Sequence, residues 1–179
     1  MTEAESWLAK VDALDDAVDE WFEQLRGNPA FDRLFYAASE LGDHSLVWHL
    51  LATGRAAASL RAERSAARVV VALAVESGLV NGVVKSLFNR SRPIQVAERP
   101  LRLRIPRTSS FPSGHASSAT MAAILLADKG KFGPLYATLA ALVASSRIHV
   151  RIHHASDVAG GVVAGSALAA VVKKLAPLR

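Results

Sequence analysis

Apolar side chains recur at three- and four-residue steps near the start of the chain: Trp7, Leu8, Val11, Leu14, Val18, Phe22 and Leu25. That spacing predicts an amphipathic helix over 4–26 with Asp and Glu on its other face, closed by Gly27-Asn28-Pro29. A second, short helix is expected over 30–41. Beyond Asp43 the pattern changes to apolar segments rich in Ala, Val, Leu and Gly, at 45–60, 66–84, 115–127, 134–146 and 158–172. Each is shorter than the roughly 20 residues an isolated spanning helix needs. Small residues such as Gly160, Gly161, Gly165 and Ser166 allow such segments to approach one another closely. Period-two alternation is lacking, so the expected fold is an all-α helix bundle with an N-terminal amphipathic helix. The longest non-periodic stretch, 86–112, carries Arg90, Arg92, Arg99, Arg102, Arg104 and Arg107 among several prolines. A connection of that length and charge is expected to serve function, and suits an anionic headgroup or membrane surface.

Charge divides the chain at the same place. Residues 1–43 hold 11 acidic and 3 basic side chains, whereas the whole chain carries a net charge of +5. An acidic amphipathic segment (1–43) and a basic helical body (44–179) are therefore expected. The acidic helix suits docking on protein better than binding anionic lipid. The basic body points to anionic lipid or phosphate substrates. Nucleic acid is disfavoured, because the cations interleave with apolar segments rather than with exposed aromatics. The absence of cysteine excludes disulfides and thiol chemistry. The first residues resemble no removable signal peptide, so the helices themselves would carry the protein across a membrane.

Three polar clusters interrupt the apolar segments: Lys85 through Arg92-Pro93, Pro112-Ser113-Gly114-His115, and Ser146-Arg147 through His153 and Asp157. Lys85 ends one segment and His115 opens the next; Arg147 ends the fourth and Asp157 opens the last. If consecutive segments run antiparallel, all these ends gather at one mouth of the bundle. Ser113-Gly114 at a helix N-terminus offers backbone N–H groups to an anion. Arg92 and Arg147 suit bidentate phosphate contact, and Lys85 supplies a point charge. Two histidines allow phosphoryl transfer without a metal, one attacking phosphorus and the other protonating the leaving oxygen. His153 and Asp157 are four residues apart, so one helical turn brings them together and the carboxylate can fix the imidazole tautomer.

These clusters resemble the type-2 phosphatidic acid phosphatase (PAP2) family: Lys, six residues, Arg-Pro; Pro-Ser-Gly-His; and Ser-Arg, five residues, His, three residues, Asp. The resemblance implies an integral-membrane bundle of about five to six core helices. It implies His153 as nucleophile, Asp157 as its orienting partner, His115 as general acid, and phosphate binding by Lys85, Arg92, Ser113, Gly114 and Arg147. The activity implied is hydrolysis of a lipid phosphate or pyrophosphate through a phosphohistidine. Its substrate would be a polyprenyl phosphate or pyrophosphate, a polyprenyl-linked phosphosugar, phosphatidic acid or phosphatidylglycerol phosphate. No cofactor or metal is implied. A vanadate-dependent haloperoxidase-like enzyme and a non-catalytic membrane lipid-binding protein are the alternatives, and self-association is left open.

Residues at no motif position have plainer readings. His44, His49, His149 and His154 are expected to be structural or on the surface, and Glu76 and Asn81 to make an interhelical hydrogen bond. Arg61, Arg64, Arg68, Lys129, Lys131, Lys173, Lys174 and Arg179 would populate the face opposite the site. By the positive-inside rule that face is cytoplasmic, which puts the site on the extracytoplasmic side of the cytoplasmic membrane.

Overall fold

The fold was analysed in a computed structural model that describes residues 3–57, 60–94, 101, 103 and 105–178. The N-terminal periodicity forms α1 (Glu3–Glu23). Asn28 then caps α2 (Pro29–Gly42), its side chain accepting from the Ala30 N–H, with Pro29 in the first turn where its missing N–H costs nothing. Next come α3 (Leu46–Ala56) and α4 (Leu60–Ser77), which runs on through a π turn (Gly78–Val83) and a 3-10 turn (Val84–Leu87). After the arginine-rich connection follow α5 (Gly114–Ala127), α6 (Gly133–His149) and α7 (Ala155–Leu175). The described residues contain no strand, as the all-α expectation requires. The stretch 62–87 and α7 are long and apolar enough to cross a membrane.

The helix expected over 45–60 is only part of a longer traverse. His44 and Ser45 adopt left-handed backbone angles (φ 51° and 57°). They break the chain between α2 and α3 without reversing it. Upstream, Asp32 and Ser39 meet His149 and Arg147 at the end of α6. Downstream, Arg55 donates to the Leu126 carbonyl (2.7 Å) near the end of α5. The core lies between these levels and is built from Trp48, Val69, Leu73, Met121, Leu125 and Leu126.

The two ends of the bundle differ in chemistry. At the end of α5, Asp128 accepts from Arg68 (2.8 Å) and pairs with Lys173 (3.6 Å), while Lys129 donates to the Leu178 carbonyl (2.7 Å). At the other end α1 lies across the termini of α6 and α7. Phe22 packs against Phe35 and Ile148. Arg26 donates to the carbonyls of Ile148 (3.0 Å) and His149 (2.9 Å) at the end of α6. The acidic helix thus docks on protein, as its charge requires. One flank stays uncovered, with Trp7 64%, Leu14 58% and Trp21 56% exposed.

α7 packs on α5 at backbone distance. A Cβ added at Gly161 would meet the Ser113 carbonyl, and one at Gly165 the Ser117 carbonyl. A methyl group at Gly165 has only backbone to displace. Gly165→Ala should therefore lower stability by about 1–3 kcal/mol, read as a fall in thermal midpoint in detergent. Gly54, with nothing within 4 Å of an added Cβ, serves as the control. Gly54→Ala should leave the midpoint level or raise it, because alanine favours helix.

Candidate active site

Helix ends bring the predicted residues together. Ser113 caps α5, and its Oγ accepts from the Ala116 N–H (3.4 Å). Its own N–H donates to the Asp157 carbonyl (2.9 Å). Ser113 therefore ties α5 to α7, and the N–H groups opening the first turn after it are those that helix bonding leaves for an anion. Lys85, Gly114, His115, Arg147 and His153 line one cavity of about 450 Å³. Lys85, Arg147, His153 and Asp157 are all buried.

His153 sits in the turn between α6 and α7, 2% exposed. Its Nδ1 lies 3.5 Å from Asp157 Oδ2. The Ser110 hydroxyl stands beside both, donating to Asp157 Oδ2 (2.5 Å) with its oxygen 3.4 Å from Nδ1. The other ring nitrogen, Nε2, is 3.3 Å from Arg92 Nη1. A carboxylate at Nδ1 and a guanidinium at Nε2 select one tautomer, with the proton on Nδ1 and the lone pair on Nε2. Burial pushes the His153 pKa down to about 3; the Asp157 hydrogen bond opposes this, and Arg147, Arg92 and Lys85 reinforce it. The ring is neutral at physiological pH, the form that can attack phosphorus.

Asp157 is 0% exposed and fully engaged. Besides Ser110, Oδ2 accepts from the His154 N–H (2.9 Å), and Oδ1 accepts from Arg90 Nη1 (2.7 Å). Arg90 reaches on to Asp15 of α1 (2.6 Å). Asp15, 4% exposed, also accepts from the Ser156 N–H and hydroxyl, both at 2.7 Å. Burial alone would lower the Arg90 pKa, but its bond to Asp15 and the charges of Asp157 and Asp15 raise it.

His115 opens α5 one residue after Gly114. Its Nε2 lies 3.0 Å from Asp43 Oδ1 and 3.3 Å from the Ser39 carbonyl. Ser39 also accepts from Arg147 Nη1 through its hydroxyl. The broken α2–α3 traverse thus supplies partners to both the second histidine and the deepest arginine. Arg92, besides touching His153, donates to the carbonyls of Ile152 (2.9 Å), Thr108 (3.1 Å) and Ser109 (3.3 Å).

Ser110, Arg90, Asp15, Asp43 and Ser39 escaped the sequence reading. Arg90 and Asp15 were legible as charges, but nothing in their spacing pairs them. His149 has the expected structural role: buried, bonded to Asp32 (2.8 Å) and stacked on Phe35. His44 and His49 line the cavity, as do Glu76 and Asn81. Asn81 reaches Ser77 on its own helix (3.5 Å) rather than a neighbouring one. Arg99, Arg102, Arg104 and Arg179 lie outside the described residues, as does the side chain of Arg61. No group of three or more metal-binding side chains occurs among the described residues.

Comparison with known proteins was made against this geometry. The family model of the PAP2 superfamily matches residues 65–179. The chain is 36% identical over 140 residues to the decaprenylphosphoryl-5-phosphoribose phosphatase of Mycobacterium tuberculosis, covering 75% of this chain and 74% of that protein. It is 35% identical over 137 residues to the enzyme of the same name from Mycolicibacterium smegmatis, covering 76% and 74%. Its fold matches the transmembrane PAP2-type phosphatidylglycerolphosphate phosphatase of Bacillus subtilis, with a TM-score of 0.70 at 23% identity over 93% of this chain and 86% of that one. It also matches LpxE of Aquifex aeolicus, with a TM-score of 0.69 at 24% identity over 87% and 93%. Family model, mycobacterial relatives and fold converge: the chain belongs to the PAP2 superfamily and is a phosphatase.

Proposed function

We propose that the protein hydrolyses the terminal phosphate of a membrane lipid through a phosphohistidine on His153. The observation that carries this reading is the buried His153, held between Asp157 and Arg92 in one cavity with His115, Lys85 and Arg147. Nε2 attacks phosphorus and the bond to the leaving oxygen breaks. His115, which takes up a proton as the phosphate enters and holds it against Asp43, gives that oxygen its proton and releases the lipid alcohol. Water then attacks the phosphohistidine while His115 takes a proton from it, and the P–N bond breaks to free inorganic phosphate. Lys85, Arg92, Arg147 and the N–H groups opening α5 around Gly114 stabilise charge on the transferring phosphoryl group, the main resource in such transfers. These residues complete the reaction without a metal.

The mycobacterial relatives are named for decaprenylphosphoryl-5-phosphoribose, which favours a polyprenyl-linked phosphosugar as substrate here. The protein would cross the cytoplasmic membrane several times with its site outside. The cations at the far end, Arg64, Arg68, Lys129, Lys131, Lys173 and Lys174, support that orientation. The exposed Trp7 and Trp21 suit α1 to the headgroup layer beside the mouth. The test is phosphate release by detergent-purified protein in EDTA from phosphatidic acid, phosphatidylglycerol phosphate, polyprenyl pyrophosphate and a polyprenyl-linked phosphosugar, beside His153→Ala. Release that survives EDTA but not the substitution supports the reading. Turnover by the variant at the normal rate would overturn it.

Asp15 and Arg90 enter this reading as positioning residues, since they reach the nucleophile only through Asp157. Asp15→Asn should cost about 2 kcal/mol of stability, from weakened bonds to a charged partner. It should lower kcat about tenfold with little change in KM, as expected when an orienting contact is loosened. Asp15→Glu should recover part of kcat. Steady-state kinetics on one lipid substrate, with thermal midpoints, check both.

A further inference from the structure

The end of α2 meets the ring of His115 with Ser39, Gly42 and Asp43, residues spaced i, i+3 and i+4 on one helix face. Each meets it differently. Asp43 brings Oδ1 to 3.0 Å from Nε2. Ser39 brings its carbonyl oxygen to 3.3 Å from the same nitrogen. Gly42 supplies the space, since a Cβ there would stand 2.7 Å from His115 Cδ2 and 2.8 Å from Val143 Cγ1. A side chain at position 42 would push the imidazole off the helix.

Two acceptors converge on Nε2. An ionised carboxylate and a carbonyl can only accept, so Nε2 carries a hydrogen in the neutral ring as well as in the imidazolium. Nδ1 is then the nitrogen whose proton comes and goes. His153 is arranged the other way, with Nδ1 toward its carboxylate and Nε2 toward Arg92. Charge adds to the geometry. Lys85 and Arg147 line the same cavity and oppose an imidazolium there, and a carboxylate against the ring offsets them. The same stretch also holds a phosphate ligand, because the Ser39 hydroxyl accepts from Arg147 Nη1.

We infer that Ser39, Gly42 and Asp43 form a cradle that positions His115 as the acid, keeping Nε2–H on Asp43 and delivering the proton from Nδ1. The inference rests on the phosphatase reading above and adds the groups that aim its second histidine. The proton taken up as the phosphate enters adds to Nδ1, and the charge it brings is held against Asp43. As the bond from phosphorus to the leaving oxygen breaks, the Nδ1–H bond breaks and the hydrogen joins that oxygen. The ring returns to neutral with Nε2–H in place, and Nδ1 then accepts a proton from the attacking water. Asp43 touches no reacting atom and is a positioning residue.

The test uses full-length protein in detergent on the three lipid phosphate monoesters named above and on p-nitrophenyl phosphate. A lipid alkoxide must be protonated as it leaves, whereas p-nitrophenolate departs without a proton, and kcat/KM reports the steps up to that departure. Asp43→Asn should lower the ratio of kcat/KM for a lipid monoester over p-nitrophenyl phosphate at least about tenfold, part of the roughly 10²–10⁴-fold that a positioned acid contributes. Gly42→Ala should lower the ratio too, and Asp43→Glu should recover part of it. The ratio cancels the fraction of protein that is folded, so lost stability alone leaves it unchanged. His115→Ala separates the inference from the reading beneath it. A ratio that falls in His115→Ala but stays within about twofold in Asp43→Asn overturns the cradle alone. A ratio moved by neither removes His115 as the acid, and the cradle with it. If the unmodified protein releases phosphate from none of these substrates, the phosphatase reading fails, and nitrogen-15 NMR of the histidines decides the cradle. A proton on His115 Nε2 that shifts toward Nδ1 in Asp43→Asn supports it; a proton on Nδ1 in the neutral ring of the unmodified protein overturns it.

Discussion

His153→Ala is expected to abolish lipid phosphate release, by about 10⁴-fold or more, a loss of the size seen when a nucleophile is removed from a site that acts as a unit. The cations and the α5 N-terminus would still bind phosphate, so affinity for inorganic phosphate or vanadate should change far less than turnover. The reason is chemical. Lys85, Arg92 and Arg147 stabilise charge, but none can form the bond to phosphorus, and His115 faces Asp43 and Ser39 rather than Asp157. His154, the neighbour most easily mistaken for the nucleophile, contributes its backbone N–H to Asp157. His154→Ala should therefore retain most activity. Acid-labile radiolabel transferred from a labelled lipid to the unmodified protein, and absent from His153→Ala, would identify the intermediate. Label that persisted in His153→Ala would move the nucleophile elsewhere.

Asp157→Asn is expected to be nearly as severe and to damage the fold as well. Every partner of this carboxylate is a donor: Arg90 at 2.7 Å, Ser110 at 2.5 Å and the His154 N–H at 2.9 Å, with His153 Nδ1 at 3.5 Å. An amide has one oxygen. Whichever way it turns, its NH₂ meets either the guanidinium of Arg90 or the donors on the other side, and a buried donor is left without an acceptor. Breaking a buried charge pair by removing one partner costs about 3–5 kcal/mol. Without the carboxylate, His153 also loses what fixes its tautomer, and comparable losses in other orienting pairs reach about 10⁴-fold in kcat. Circular dichroism melts with single-turnover kinetics separate the two effects. Normal stability and normal turnover together would remove Asp157 from the role given to it.

The clusters that meet at the cavity were legible because helix ends are where a linear sequence can present charged and imidazole side chains together. Lys85, Gly114, His115, Arg147 and His153 line one cavity, while Arg92 and Asp157 touch His153. Ser113 was legible as a helix start, but its N–H is taken by the Asp157 carbonyl, a use no local pattern announces. Ser110 lies only three residues before Ser113 and was passed over, since its value depends on where Asp157 arrives from another helix. Asp15 and Ser156 are 141 residues apart. Their pairing follows from the way Phe22 and Arg26 set α1 across the ends of α6 and α7. The break between α2 and α3 was illegible for a local reason: His44 and Ser45 take left-handed angles without the glycine that usually marks them.

What the sequence by itself determined is the fold class and the grouping of polar side chains at the helix ends. Apolar segments with small residues dictate helices that must bury their faces against one another, and the polar ends of those segments carry the charges and imidazoles that phosphate requires. What only the tertiary structure decided is which of those groups holds which. The second ring of contacts, Arg90 and Ser110 on Asp157, Asp15 on Arg90, Asp43 on His115, comes from segments far apart in the chain. Periodicity reports which face of an element seeks cover, since hydrophobic burial is non-directional. Hydrogen bonds are directional and short in range, so their partners are settled only when packing has fixed each backbone to within a fraction of an ångström.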